Sequence, residues 1–224
     1  MVRLMLVRHG QTAWNAAGRY QGQTDVPLSD VGRRQAQALG RRLAAEEIHA
    51  VYASDLRRAG ETAEIIARSR ADVGRPPWPM HAEPRLREMA FGAWEGLTYE
   101  EITARDPQGL AAWQADSLHV APPGGETLTQ LAARVRSLLD DVVAAHSGQA
   151  SAPSRCVLLV AHGGLLRVLL CLALGLAADF HWRFHLDVAS LSALLLYDTD
   201  AVLVGLNDTH HLEGLSQESV GWDG

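Results

Sequence analysis

Residues 2–12 read VRLMLVRHGQT and residues 157–164 read VLLVAHGG. Each is a short apolar run ending in histidine and glycine, the pattern of a buried strand that empties into a loop. In a parallel sheet, ligands sit beyond the carboxyl ends of strands. Two such strands can deliver His9 and His162 to one pocket, with Arg8 beside the first. Gly10, Gly163 and Gly164 let a ligand approach the backbone and leave N–H groups free to point at an anion. A lone histidine in such a place is more often a core residue with satisfied hydrogen bonds. The repetition, with arginine next to one histidine and glycine after both, favours function.

The segments between these strands alternate in type. Ser29-Asp30 offers a helix N-cap, and Val31, Ala36, Leu39, Leu43 and Ala44 follow at helical spacing. Residues 49–53 (HAVYA) suit a second buried strand, with Ser54-Asp55 capping a helix that runs to about Ala67. Residues 74–79 (GRPPWP) are loop-like. A short helix is predicted from Leu97-Thr98 to Arg105, closed by Asp106-Pro107, and residues 122–125 form a turn. Leu128, Leu131, Val135, Leu138, Leu139 and Val142 mark a long amphipathic helix. A helix is predicted over 164–174, and residues 190–197 and 201–206 form a hairpin around Asp198-Thr199-Asp200. Residues 217–224 (QESVGWDG) are expected to fray. Strands alternating with helices predict an α/β three-layer sandwich, with a mostly parallel central sheet and helices on both faces. The hairpin adds an antiparallel edge. No linker or internal repeat divides the chain, so residues 1–224 are expected to form one domain.

Composition narrows the function. With 47% hydrophobic and 21% charged residues, the chain can bury a sizeable core. A net charge of −6 argues against general nucleic-acid binding, yet cations can still cluster locally around a phosphate. Cys156 and Cys171 both lie in apolar stretches, which predicts buried free thiols, not a disulfide framework or a cysteine-based zinc site. The apolar stretch 157–178 is about long enough to span a bilayer. His162-Gly163-Gly164 and Arg167 interrupt it, so it reads as strand, turn and helix. The first ten residues lack a signal-peptide pattern. These features lead to the expectation of a soluble cytoplasmic protein with no membrane or nucleic-acid partner; a homodimer stays open.

Two further blocks carry chemistry. SDLRRA (54–59) follows a strand and starts a helix with an arginine pair, whose planar forks match phosphate oxygens. An Arg-Arg pair alone is usually a solvated helix face. LREMAFGAWEG (86–96) places Glu88 in an aromatic, glycine-rich loop, where a carboxylate can act as an acid. Most loop glutamates are simply hydrated. His181 and His185 at i, i+4, and the adjacent His210 and His211, could suggest zinc. No HExxH motif or nearby cysteine supports that, so surface or edge histidines are the better expectation. Trp78, Trp94, Trp113 and Trp182 could wall a pocket but are expected at least as often to be packing residues, with Trp94 the best wall candidate because it follows Glu88 by six residues.

Taken in order, these blocks resemble the histidine phosphatase superfamily, also called the phosphoglycerate mutase-like family. Arg8-His9-Gly10-Gln11-Thr12 with Trp14-Asn15 looks like its N-terminal signature, and residues 19–29 (RYQGQTDVPLS) look like the segment that follows. SDLRRA, LREMAFGAWEG, PPGGET (122–127), VAHGG (160–164) and NDTHHL (207–212) come in family order, so the similarity covers nearly the whole chain. The resemblance implies that His9 is the nucleophile and becomes phosphohistidine. It implies that Arg8, Arg58 and His162 line the phosphate pocket and that Glu88 is the proton donor. Asn15, Gln21, Gly22 and Gly163 would complete the phosphate-binding set, the two amides as neutral donors and Gly163 through its backbone N–H. Arg57 is expected to face solvent. Met89-Ala90 departs from the usual pattern, which often has an acidic or polar residue there.

Elementary chemistry agrees with those roles. A neutral imidazole can attack phosphorus, and nearby arginines disfavour its protonation. Fixed cations stabilise charge on the equatorial oxygens without a metal. Glu88 then serves first as acid and later as base. No metal or cofactor is expected. Mutases of this family carry extra basic residues after the glutamate block. Here Arg105 is the only cation between Gly96 and Pro122. The expectation is therefore a metal-independent phosphomonoester hydrolase for small phosphorylated metabolites, similar to broad-specificity or α-ribazole phosphatases. The alternatives are a bisphosphate-dependent phosphoglycerate mutase and a non-catalytic phospho-ligand binding module.

Overall fold

Six strands form one sheet in the computed structural model, which describes residues 1–147, 155–198 and 200–215. They are β1 (Val2–Arg8), β2 (Ala50–Ala53), β3 (Met80–Ala82), β4 (Arg155–Ala161), β5 (Leu191–Leu196) and β6 (Ala201–Asp208), in spatial order β3-β2-β4-β1-β5-β6. The first four in that order pair in parallel, while β5 and β6 add an antiparallel pair beyond β1. The helices are α1 (Ala13–Ala16), α2 (Asp30–Leu43), α3 (Arg57–Arg68), α4 (Tyr99–Arg105), α5 (Pro107–Ala115), α6 (Leu128–His146) and α7 (Gly163–Ala173).

The strand alternation builds the three layers. Leu4 and Leu6 of β1, with Val157 and Leu159 of β4, join Leu131, Val135 and Leu138 of α6 and Leu165 and Leu169 of α7 in one core. Met5 and Val7, with Leu158 and Val160, face the other way and pack on Leu39 and Leu43 of α2 and Ile66 of α3. Both faces of β1 and β4 are therefore dry, which is why their sequences are continuous apolar runs instead of alternating ones.

The topology sets the place of the site. From β1 the chain leaves through α2 on one face toward β2; from β4 it leaves through α7 on the other face toward β5. The two connections diverge, so a crevice opens at the carboxyl ends of β1 and β4, the switch point of the sheet. Arg8 and Ala161 are register partners there.

Some local expectations are corrected. The hydroxyl of Ser54 and the carboxylate of Asp55 do not cap α3, whose N-cap is Leu56 without a side-chain bond. Ser54 is engaged by His162 and Asp55 by Arg87. Asp106-Pro107 ends one helix but also starts another: Asp106 Oδ1 accepts from the Gly109 N–H at 3.0 Å and Pro107 takes the first turn of α5. The short strand β3 directly after the proline-rich loop was also unanticipated. Stretch 157–178 divides into β4, a turn and α7, and among the described residues no helix is long and apolar enough to cross a membrane. Cys156 and Cys171 are buried and free. The hairpin tip at Thr199 and the fraying expected for 217–224 lie outside the described residues.

Candidate active site

His9 and His162 stand side by side at the switch point, ring centroids 5.1 Å apart. They do different things there. His9 Nδ1 lies 2.7 Å from the Gly10 carbonyl oxygen, so this nitrogen carries the proton and donates. Nε2 is left with its lone pair, and His9 lines a cavity of about 380 Å³. Burial above all, then the Arg58 and Arg8 guanidiniums, hold the His9 pKa well below 6.5, so the ring is neutral at pH 7.

His162 is fully enclosed and does not line the cavity. Its Nδ1 accepts from Arg58 Nε at 3.1 Å, which places its proton on Nε2, 2.9 Å from Ser54 Oγ. Burial first, and then Arg58, keep this ring neutral too. Both of its nitrogens are thus engaged, one of them with the Arg58 guanidinium.

Arg58 is buried yet reaches the cavity. Besides His162, it donates to the carbonyls of Gly22 at 2.7 Å and Thr24 at 2.8 Å. Burial lowers its pKa to about 10, with Glu88, Asp25 and Glu95 opposing. It stays a cation at pH 7. Arg57, its neighbour, is exposed as expected. Arg8 also lines the cavity, and its Nη1 donates to the Leu186 carbonyl at 2.6 Å.

Asn15, Gln21, Gly22 and Gly163 line the same cavity. Asn15 Oδ1 and Gln21 Oε1 lie 3.1 and 3.0 Å from Thr12 Oγ1. Asn15 Oδ1 also accepts from the Thr12 N–H at 3.0 Å, which turns the Asn15 amide N–H groups away from Thr12. Gly22 has φ +51°, and any Cβ there would collide with the Glu95 carboxylate.

Glu88 is brought to the cavity by the loop that follows β3. Its Oε2 accepts from the Gly164 N–H and its Oε1 from the Leu165 and Met89 N–H groups, all at 2.9 Å. The carboxyl group thus sits on the first turn of α7. A Cβ at position 164 would lie 2.8 Å from Glu88 Oε1, which explains the second glycine of VAHGG.

Two polar helix residues, Thr62 and Gln35, support this arrangement. Thr62 Oγ1 accepts from the Gly10 N–H and donates to the Arg58 carbonyl; Gln35 Oε1 accepts from the Gln11 N–H. Only their helical spacing pointed inward, and nothing marked them as polar supports. Trp94 is corrected as a wall: it is buried in the core, its Nε1 bonded to Asp106. The wall consists of Tyr20, Tyr99, Trp113 and Trp182. Arg19 and Arg167 also line the cavity, so it holds more cations than segment 96–122 suggested. His181 is buried against it, correcting the expectation of a surface residue, whereas His185 and His210 are exposed beside Asp187 and Glu213.

The family model "Histidine phosphatase superfamily (branch 1)" matches residues 4–209. The chain belongs to this superfamily. Phosphoserine phosphatase 1 of Hydrogenobacter thermophilus is 34% identical over 212 residues, 95% of each chain. A putative α-ribazole-5′-phosphate phosphatase from Escherichia coli superposes with a TM-score of 0.82 at 30% identity, over 93% of this chain and 97% of that one. A mycobacterial glucosyl-3-phosphoglycerate phosphatase, solved with VO3, superposes with a TM-score of 0.80 at 36% identity, over 92% of this chain and 99% of that one. Histidine phosphatase relatives with phosphatase names at these identities support a phosphomonoester hydrolase.

Proposed function

We propose that the chain hydrolyses small phosphorylated metabolites through a phosphohistidine on His9, without a metal. The observation that carries this is the open Nε2 of a neutral His9 in a cavity it shares with Arg8, Arg58 and Glu88.

In the first step the Nε2 lone pair forms a P–N bond as the ester P–O bond breaks. The leaving oxygen takes a proton from Glu88. Three backbone N–H groups occupy three of the four lone-pair positions of that carboxyl, and the remaining one, on Oε2, can carry the proton. Arg8 and Arg58, with the amides of Asn15 and Gln21, bind the oxygens on which charge accumulates. In the second step water attacks phosphorus, the P–N bond breaks, and ionised Glu88 takes the water proton. Inorganic phosphate leaves and His9 is neutral again. His162 acts by holding Arg58.

The outer half of the cavity, with Tyr20, Tyr99, Trp113 and Trp182, suits an organic leaving group larger than water. The relatives named for phosphoserine, α-ribazole phosphate and glucosyl-3-phosphoglycerate define the first panel to try. The test is release of inorganic phosphate from that panel, with phosphoglycerates and sugar phosphates added, in the presence of EDTA. Turnover in EDTA supports the proposal. Dependence on added metal, or isomerisation of phosphoglycerate without phosphate release, would overturn it.

A further inference from the structure

Arg134 lies on α6 and does not line the cavity. Its guanidinium nevertheless has an acceptor for each of its five N–H donors. Nε donates to Glu126 Oε1 at 3.1 Å. Nη1 donates to the carbonyls of Arg85 and Arg87 at 2.8 and 2.6 Å. Nη2 donates to the Glu88 carbonyl at 2.9 Å and to Glu126 Oε2 at 3.1 Å. Three of these acceptors belong to the short turn that presents Glu88.

Glu126 closes the turn from its other end. Its Oε2 accepts from the Ala90 N–H at 3.0 Å, and its own N–H donates to the Ala90 carbonyl at 2.9 Å. Gln23 Nε2 adds a bond of 3.2 Å to the Glu88 carbonyl. The Arg134 and Glu126 side chains are only 20% and 14% exposed, so solvent screens them less than a surface pair. A charged pair spent on backbone groups at 85, 87, 88 and 90 fixes where one residue begins. That residue's carboxyl must then meet the N–H groups of Gly164 and Leu165 at 2.9 Å.

We propose that Arg134, held by Glu126, is a positioning residue for proton transfer by Glu88. The inference rests on the acid–base role given to Glu88 above. An alkyl ester cannot expel its alkoxide without a proton, so displacing Glu88 slows the P–O cleavage that forms phosphohistidine. A nitrophenolate leaves without protonation, and its ester is insensitive to the same displacement. An ion pair that merely supports the fold would slow both esters alike.

Arg134→Lys keeps the charge but offers three donors on a flexible stem in place of a five-donor fork. Rapid-quench measurement of phosphohistidine formation would compare glycerol 2-phosphate with p-nitrophenyl phosphate. The expected result is a loss of about 10²-fold for the alkyl ester, as for a misplaced catalytic group, against less than about threefold for the nitrophenyl ester. In a Glu88→Gln background, Arg134→Lys should add no further loss. Equal losses for the two esters, or an additive loss in the double variant, would overturn the proposal. If Arg134→Lys does not fold, as judged by thermal unfolding, Glu126→Gln is put to the same comparison with the same criteria. A Glu88→Gln protein with no leaving-group selectivity would instead remove the role of Glu88 itself, and this inference with it.

Discussion

The ends of β1 and β4 are nearly the same sentence in sequence, a buried apolar strand followed by His-Gly, and they sit in register in the sheet. Their histidines are both neutral and both buried. The difference lies in what the ring nitrogens meet. His9 spends one nitrogen on its neighbour's carbonyl and keeps the other for the cavity. His162 spends both, on Arg58 and Ser54. A repeated motif thus supplies two histidines, and the chain following β2, which brings Ser54 and Arg58, occupies both nitrogens of one of them.

The largest expected effect separates the two directly. His9→Ala removes the nucleophile and should lower kcat by about 10⁴-fold or more. His162→Ala should cost only about 10²-fold, the scale of a misaimed catalytic group. Steady-state kinetics on p-nitrophenyl phosphate would check both, and equal losses would erase the distinction.

The next largest effect concerns how His162 acts. Arg58→Ala should cost roughly 10²–10³-fold in kcat, as for other transition-state donors. In that background His162→Ala should add little, because its target is already gone. Full additivity of the two losses would show that His162 contacts the substrate by itself.

The pH profile gives a smaller but signed effect. His9 must be unprotonated to attack, and its pKa lies well below 6.5, so the acid limb of kcat/KM due to His9 should fall below pH 6.5. The Arg58 cation contributes to that depression. Arg58→Ala should therefore move the limb to higher pH, while a shift to lower pH would contradict the electrostatic account.

The smallest effect is expected from Ser54→Ala. It leaves the buried Nε2–H of His162 without its acceptor, at a cost of about 1–3 kcal/mol in stability measured by denaturant unfolding. Activity should change far less than in His162→Ala, since the bond from Arg58 to Nδ1 survives.

Much of this was legible in the chain. The apolar runs of β1 and β4, the helical spacing of α2 and α6 and the edge hairpin follow from periodicity, because burial on one or two faces writes itself into residue order. The gathering of Arg8, His9, Arg58 and Gly163 was legible because each stands at a strand end or helix start in a block with glycine or arginine; Glu88 lies in a loop and was legible from the order of the blocks. The engagement of both His162 nitrogens was not legible, since their partners Arg58 and Ser54 lie more than a hundred positions away. Trp94 misled for a similar reason: nearness to Glu88 in sequence says nothing about which side of the loop a ring faces, and the core claimed it. Asp106-Pro107 reads as a stop in sequence and is also a start, because a proline tolerated after one helix is equally suited to the first turn of the next.

In the proposed mechanism one of two adjacent buried imidazoles carries the phosphoryl group. Alkaline quenching of enzyme during turnover of a phosphomonoester, followed by proteolysis and mass spectrometry, would locate it. Acid-labile phosphate is expected on the peptide containing His9, present in His162→Ala and absent in His9→Ala. Phosphate on His162, or label retained in His9→Ala, would contradict it.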